Sequence, residues 1–301
     1  MAPTPTNPIR IEGPALARHA ASEWVLTNAL GGFAMGTVSG VPMRRYHGLL
    51  VAATRPPLGR VAALMAVDDA VLFEGERERE PRSVPLTAFQ FVGNPPAAAS
   101  PHLTAFEHDA GACRWEFSIP QASIPPARLS KEVVMAPGGN ATVVRYTLNG
   151  QARRAWIRMR PLVALRDFHR LVDASRGLNQ YRILDVAGSG EARVAVEAGG
   201  VTLHLSAGRD ARWAEKPEWW FRFEYPMDRA RGDAGREDLL CPGTFLVELT
   251  GEAPSVELRA GIGDAAPDPW AKLAEDRRAG AAKVVSEAPP PPVGLEAVHG
   301  A

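Results

Sequence analysis

Cysteine is nearly missing from this 301-residue sequence, which has only Cys113 and Cys241. Two thiols cannot build a cysteine-rich zinc site by themselves, nor the disulfide framework of a small secreted protein. Reduced, packed side chains in a cytoplasmic protein are the expectation. Net charge is missing too, because 34 Lys and Arg residues balance 34 Asp and Glu residues. That balance removes the electrostatic argument for a nucleic-acid or anionic-membrane partner. No apolar run is long enough to span a bilayer, and the opening MAPTPTNPIR has no apolar core of signal-peptide length. A soluble chain with no membrane partner is therefore expected.

Several chemical signatures are also lacking. There is no HExxH, no GxGxxG and no GK[ST]. His102 and His108 stand six apart in a proline-rich stretch, and His169 and His204 fall in separate elements, so no metal ligand and no cofactor is assigned. Nothing in the spacing of the many acids selects the carboxyl pair that glycosidic hydrolysis needs.

Short period-2 segments are plentiful, the mark of strands with one buried face. Cys113, Trp115, Phe117 and Ile119 alternate with Arg114, Glu116 and Ser118. Val201, Leu203 and Leu205 oppose Thr202, His204 and Ser206, and Trp219, Phe221, Phe223 and Tyr225 are placed on one face of WWFRFEY. Hairpin turns are expected at Pro137–Asn140, at Gly199-Gly200 and at Asp68-Asp69. Crossover helices are missing, which favours an all-β fold, a large antiparallel sandwich, over βαβ units. Residues 1–19 read as a flexible lead and 20–265 as the sandwich. Residues 266–288 read as a linker helix, with Trp270, Leu273 and Ala274 on one stripe, and 289–301 as a proline-rich tail.

Unusual chemistry concentrates in Glu23 to Ala53, EWVLTNALGGFAMGTVSGVPMRRYHGLLVAA. Its glycines permit tight turns and close approach of backbone or ligand. Arg44, Arg45, Tyr46 and His47 bring two permanent charges, a phenol and an imidazole together ahead of a strand. If they continue that strand, Arg44 and Tyr46 face opposite to Arg45 and His47. Such groups can fork to sugar hydroxyls, or hold carboxylates and carbonyls at a sheet edge. Glu237 and Asp238 interrupt a turn-like Gly/Pro setting, either as site acids or as caps and ion-pair partners. Trp219 and Trp220 offer rings that suit a pyranose face as well as a core.

Four blocks, the one just quoted, SKEVVMAPGGNATVVRYTL, RPLVALRDFH and WWFRFEYPMDRARGDAGREDLLCPGTF, resemble the N-terminal domain of the bacterial and archaeal glycogen-debranching enzyme (amylo-α-1,6-glucosidase) family. The resemblance runs from about residue 20 to 262. It implies a β-sandwich that packs against a helical toroid, with the toroid carrying the general acid and base for the α-1,6 bond. Arg44, Arg45, Tyr46 and His47 match one phrase of that domain and Asp167 with His169 another, which implies a cleft-lining or interface role and no catalytic one. The toroid's motifs are not found before Ala301, so hydrolysis is expected to need a separate helical glucosidase domain or subunit. The expected partner is an α-glucan such as glycogen or a limit dextrin. Alternatives are a stand-alone glucan-binding module, a self-sufficient hydrolase or sugar epimerase, and a structural remnant.

Overall fold

A computed structural model describes residues 8–56, 58–74, 82–109, 111–121, 124–150, 154–177, 180–185, 191–208, 210–249, 255–263 and 269–287. The expected proline tail, the first seven residues and the start of the expected linker helix, residues 266–268, lie outside the described residues.

Two antiparallel sheets face each other. The first joins nine strands in the order β1 (Ile9–Glu12), β7 (Leu103–His108), β8 (Cys113–Gln121), β9 (Ile124–Met135), β10 (Ala141–Asn149), β17 (Ser255–Ile262), β14 (Val201–Ala207), β13 (Ala192–Ala198) and β12 (Arg182–Asp185). The second runs β15 (Arg212–Glu224), β16 (Arg236–Leu249), β11 (Ala155–Asp167), β5 (Leu58–Phe73), β4 (Gly48–Arg55), β3 (Phe33–Thr37) and β2 (Glu23–Thr27), with β6 (Arg82–Pro85) pairing the far end of β5. Period-2 patterning is what makes this work, since one row of each strand turns inward. Trp115, Phe117, Leu129, Val133 and Leu205 from the first sheet meet Leu26, Leu64, Ile157, Val163 and Phe245 from the second in one core.

Two of the expected hairpins form. Thr142 pairs Met135 across the turn after β9, and Ala198 pairs Val201 around Gly199 and Gly200. Those two glycines hold φ values of 57° and 76°, the left-handed pair that a two-residue hairpin demands. The turn expected at Asp68-Asp69 does not exist. Both acids sit inside the 16-residue strand β5, opposite Arg160 and Met159 of β11. Charge was misread as a turn signal, whereas here each acid has a cation on its own side of the sheet. Asp68 takes Arg160 at 2.6 Å on the outer face. Asp69 points between the sheets, where Lys131 Nζ lies at 2.5 Å and the Tyr146 hydroxyl donates at 2.7 Å. Burial, followed by the Asp69 charge, pushes the Tyr146 phenol well up, so it stays a donor.

The run WWFRFEY also departs from simple alternation. Its register against β16 shifts between Trp220 and Phe223, so β15 carries one extra residue there, and Arg222 adopts φ 66°. The bulge puts Trp220 and Phe223 on the same side, with ring planes 14° apart, while Phe221 is left exposed. Trp219 turns to the main core and packs edge-on against Tyr181 at 5.3 Å.

Among the described residues, four helices accompany the sheets: α1 (Pro14–Arg18), α2 (Ala174–Gly177), α3 (Pro226–Ala230) and α4 (Trp270–Glu287). No helix among the described residues is long and apolar enough to cross a membrane. Trp270, Leu273 and Ala274 of α4 pack on Val134, Ala136, Ala141 and Val143 at the back of the nine-stranded sheet. Arg145 lies 3.4 Å over the Trp270 ring, and Arg277 donates to the carbonyls of Thr27 at 2.5 Å and Met135 at 3.3 Å. Because Thr27 and Met135 belong to different sheets, α4 ties the sandwich together at this end. Trp270→Ala is expected to cost about 3 kcal/mol, the usual range for deleting a buried large aromatic. Urea unfolding followed by fluorescence measures it.

Candidate functional site

All of the residues that the sequence singles out except Trp219 stand towards one end of the eight-stranded sheet, where loops 38–47 and 168–173 and helix α3 converge on β2, β11, β15 and β16. Arg44, Arg45, Tyr46 and His47 do not continue a strand. They form a tight turn before β4, closed by the His47 N–H donating to the Arg44 carbonyl at 3.0 Å. The turn reverses the expected pairing of faces: Arg44 and His47 go one way, Arg45 and Tyr46 the other.

Arg44 and His47 both grip Glu23 at the start of β2. Arg44 Nε lies 2.5 Å and His47 Nε2 2.8 Å from the same Glu23 oxygen. His47 Nδ1 accepts the Met43 N–H at 3.0 Å, so the neutral ring carries its proton on Nε2 and donates it to Glu23. Burial lowers the His47 pKa, with the Glu23 carboxylate pulling back only in part. Burial raises that of Glu23, but the bonds from His47 and Arg44 outweigh it and hold the carboxyl below its ordinary range. Beside His47 lies a cavity of about 40 Å³, walled by Trp24, Trp115, Thr37 and Lys131. It has room for a water or two and none for a glucosyl unit.

Glu237 is fully buried and belongs to strand β16, as does Asp238; the turn-like setting expected from their neighbours is wrong. Arg166, at the end of β11, forks onto Glu237, with Nη2 at 3.0 Å from Oε2. Glu237 also accepts the Tyr225 hydroxyl at 2.6 Å and the Val172 N–H at 3.0 Å. Burial and the Glu237 charge push the Tyr225 phenol far up, which keeps it a donor. Arg166 reaches on to the carbonyls of Arg45 at 2.8 Å and Phe168 at 3.0 Å. Asp238 accepts the N–H groups of Arg222 at 2.8 Å and Ala174 at 3.0 Å, thereby supplying the acceptor that the β15 bulge removes. Asp228 in α3 accepts the Arg45 N–H at 2.7 Å and faces the Arg45 guanidinium at 3.5 Å.

On top of these locked groups sits a more open surface. Tyr46 and His169 meet at 3.1 Å between the hydroxyl and Nδ1, and Phe168 packs on Tyr46 with centroids 5.6 Å apart. Asp167 accepts the His169 N–H at 3.0 Å and caps the turn. Asp167 and His169 are exposed, Tyr46 and Phe168 half-buried. Phe168 and Trp220 rest on the same apolar cluster across the outer face of the sheet, with Phe89 and Phe91, so Trp220 shares a face with this platform and Trp219 does not. Among the described residues no group of three or more His, Cys, Asp or Glu is gathered as for a metal ion.

The family model described as glycogen debranching enzyme N terminal matches residues 22–255, and the residues from Glu23 to Asp238 that meet at this end of the sheet lie within that span. The chain belongs to this family. No curated protein matches it significantly. Solved structures with some likeness include a bacterial glucoamylase complexed with acarbose (8% identity, TM-score 0.39, 95% of this chain and 36% of that one). A putative kojibiose phosphorylase from human microbiome (10%, 0.40, 94% and 36%) and a 4-alpha-glucanotransferase from Thermococcus litoralis (12%, 0.38, 87% and 40%) are similar at the same level. These are distant likenesses. The chain spans between a third and two-fifths of the length of those proteins.

Arg166, Glu23, Asp228, Tyr225 and Phe168 also stand at this end of the debranching-enzyme N-terminal domain, and the sequence analysis assigns none of them a site role. Arg166 has a readable signal, a charge placed directly after the apolar run Leu162–Leu165. The others needed the fold, because their partners lie far away in sequence.

Glu237→Ala strands a buried guanidinium and is expected to cost about 3–5 kcal/mol in chemical denaturation. A loss below about 1 kcal/mol would mean the pair is not closed in solution. The His47 shift gives a pH effect of known sign. Its folded pKa is depressed, so its contribution is complete above the ordinary value of 6.5 and is lost as pH falls through the folded value. Stability should drop from pH 7 to pH 5, and His47→Gln should flatten that slope in thermal melts.

Proposed function

We propose that this domain forms one wall of a cleft that accommodates branched α-glucan, beside a helical glucosidase domain, on the same or another polypeptide, that hydrolyses the α-1,6 linkage. The observation that carries the reading is the platform of Tyr46, Phe168 and His169 with Asp167. It presents half-buried rings next to exposed polar groups, the combination that suits a pyranose with its apolar face and its ring of hydroxyls. The acids beneath it are ill-suited to bond cleavage. A glycosidase acid must hold a transferable proton, and its partner must face water or the anomeric carbon. Glu237 is instead forked by Arg166 and bonded by Tyr225, Asp238 is filled by two backbone N–H groups, and Asp228 is held by Arg45. Positioning a glucan end and excluding solvent are what such a rigid wall contributes.

Family membership over residues 22–255 supports the glucan as ligand. Two buried free thiols suit a cytoplasmic, reducing location. The exposed ring of Phe221, beside the outer face that carries Trp220, supports a second role for that face as the seat of the helical domain.

Electrophoresis in native gels containing glycogen tests the reading. The chain should be retarded relative to a glycogen-free gel, and Tyr46→Ala with His169→Ala should weaken retardation about tenfold, since stacking and one hydrogen bond are lost together. Equal mobility with and without glycogen, or glucose released from a limit dextrin by the pure chain, would contradict it.

A further inference from the structure

The opposite side of the sandwich carries a groove of about 600 Å³ on the outer face of the nine-stranded sheet. Its floor is set by strand register. Glu116 of β8 stands beside Ser130 of β9, which stands beside Thr147 of β10. One step along, Ser118, Arg128 and Asn149 form a second row. Ser130 itself is buried, so the side chains open to the groove are Glu116, Ser118, Arg128 and Asn149, a lattice of carboxylate, hydroxyl, guanidinium and amide groups. The apolar residues at its wall, Phe117 and Leu129, have their side chains committed to the main core, so they offer the groove only backbone.

The charges around the groove are largely neutralised. Glu116 is bonded by Arg10 at 2.9 Å and approached by Arg114 at 3.3 Å. Glu132 is bonded by Arg145 at 2.5 Å in the neighbouring row. A phosphate or other polyanion would meet the Glu116 carboxylate in the wall, and an apolar peptide would find no apolar side chain. What remains is a neutral ligand rich in hydroxyls, able both to donate to Glu116, Ser118 and Asn149 and to accept from Arg128 and Asn149. With no ring to stack on, each sugar unit is held by hydrogen bonds alone, so binding is weak per unit and gains from many repeats along one polymer.

We infer that this groove is a second, accessory α-glucan site that holds an outer chain of the polymer while the Tyr46 platform engages another. The choice of glucan rests on the function proposed above; the position of the groove does not.

Arg128 and Asn149 are exposed and outside the core, so Arg128→Ala with Asn149→Ala should leave the thermal midpoint unchanged. Frontal affinity chromatography of the full chain on immobilised glycogen should show about a tenfold weaker retention for this double variant, given roughly threefold per lost hydrogen bond. Unchanged retention of this variant, while the Tyr46/His169 variant is weakened, overturns the accessory groove and leaves the main reading standing. No retention of the unaltered chain overturns both.

Discussion

The buried pair of Arg166 and Glu237 is the constraint on which this end of the molecule depends. It joins the end of β11 to the start of β16 where both strands leave regular pairing, and its remaining donors and acceptors pin the chain at Arg45, Phe168 and Val172. A charged pair removed from water is stable only if its other hydrogen-bonding capacity is filled. Here it is filled by loop backbone and Tyr225, so the loops cannot move without exposing an unsatisfied charge. Two non-glycine residues with positive φ flank the cluster, Leu165 at 46° and Arg222 at 66°. Each conformation costs on the order of 1 kcal/mol or more and persists because the network over-determines it.

This arrangement explains why so many ionisable groups at the site are compatible with a non-hydrolytic part. Each acid is already committed: Glu23 to Arg44 and His47, Asp228 to Arg45, Glu237 to Arg166, Asp238 to backbone amides. Their effect is to hold Tyr46, Phe168 and His169 in one geometry before any ligand arrives, which reduces the ordering cost of binding. The proposed division of labour, a preorganised sugar wall here and bond chemistry in a neighbouring helical domain, draws its support from that commitment.

Much of the fold was legible because alternation of apolar residues encodes a sheet face directly. Cys113 to Ile119 and Val201 to Leu205 lie as the pattern requires. The failures share a cause. Asp68-Asp69 reads as a turn because charge in an apolar run normally marks solvent, and its cations, Lys131 and Arg160, lie dozens of residues away; Glu237 and Asp238 serve as the ion-pair partner and backbone acceptor that one of their readings allows, but from within strand β16. The Trp219–Tyr225 strand was misphased by a bulge that no period reveals. The glycines of the first block allow close approach as expected, but of the protein's own groups: Gly36 lies under the Trp24 ring, 2.9 Å from where a Cβ would stand. For the site, sequence identified the Arg44–His47 phrase and the Asp167–His169 phrase; that they face one another across Tyr46 and His169 is a product of topology.

Native-state hydrogen exchange on the unliganded chain is the most direct test that the platform is built in advance. The amides of Arg45, Val172, Ala174 and Arg222 donate to Asp228, Glu237 and Asp238 and lie outside regular ladder bonding. If the buried acids lock this end, these four amides exchange as slowly as the central amides of β16. Exchange at the rate of open surface loops would contradict the account, because the acids would then be free for some other use.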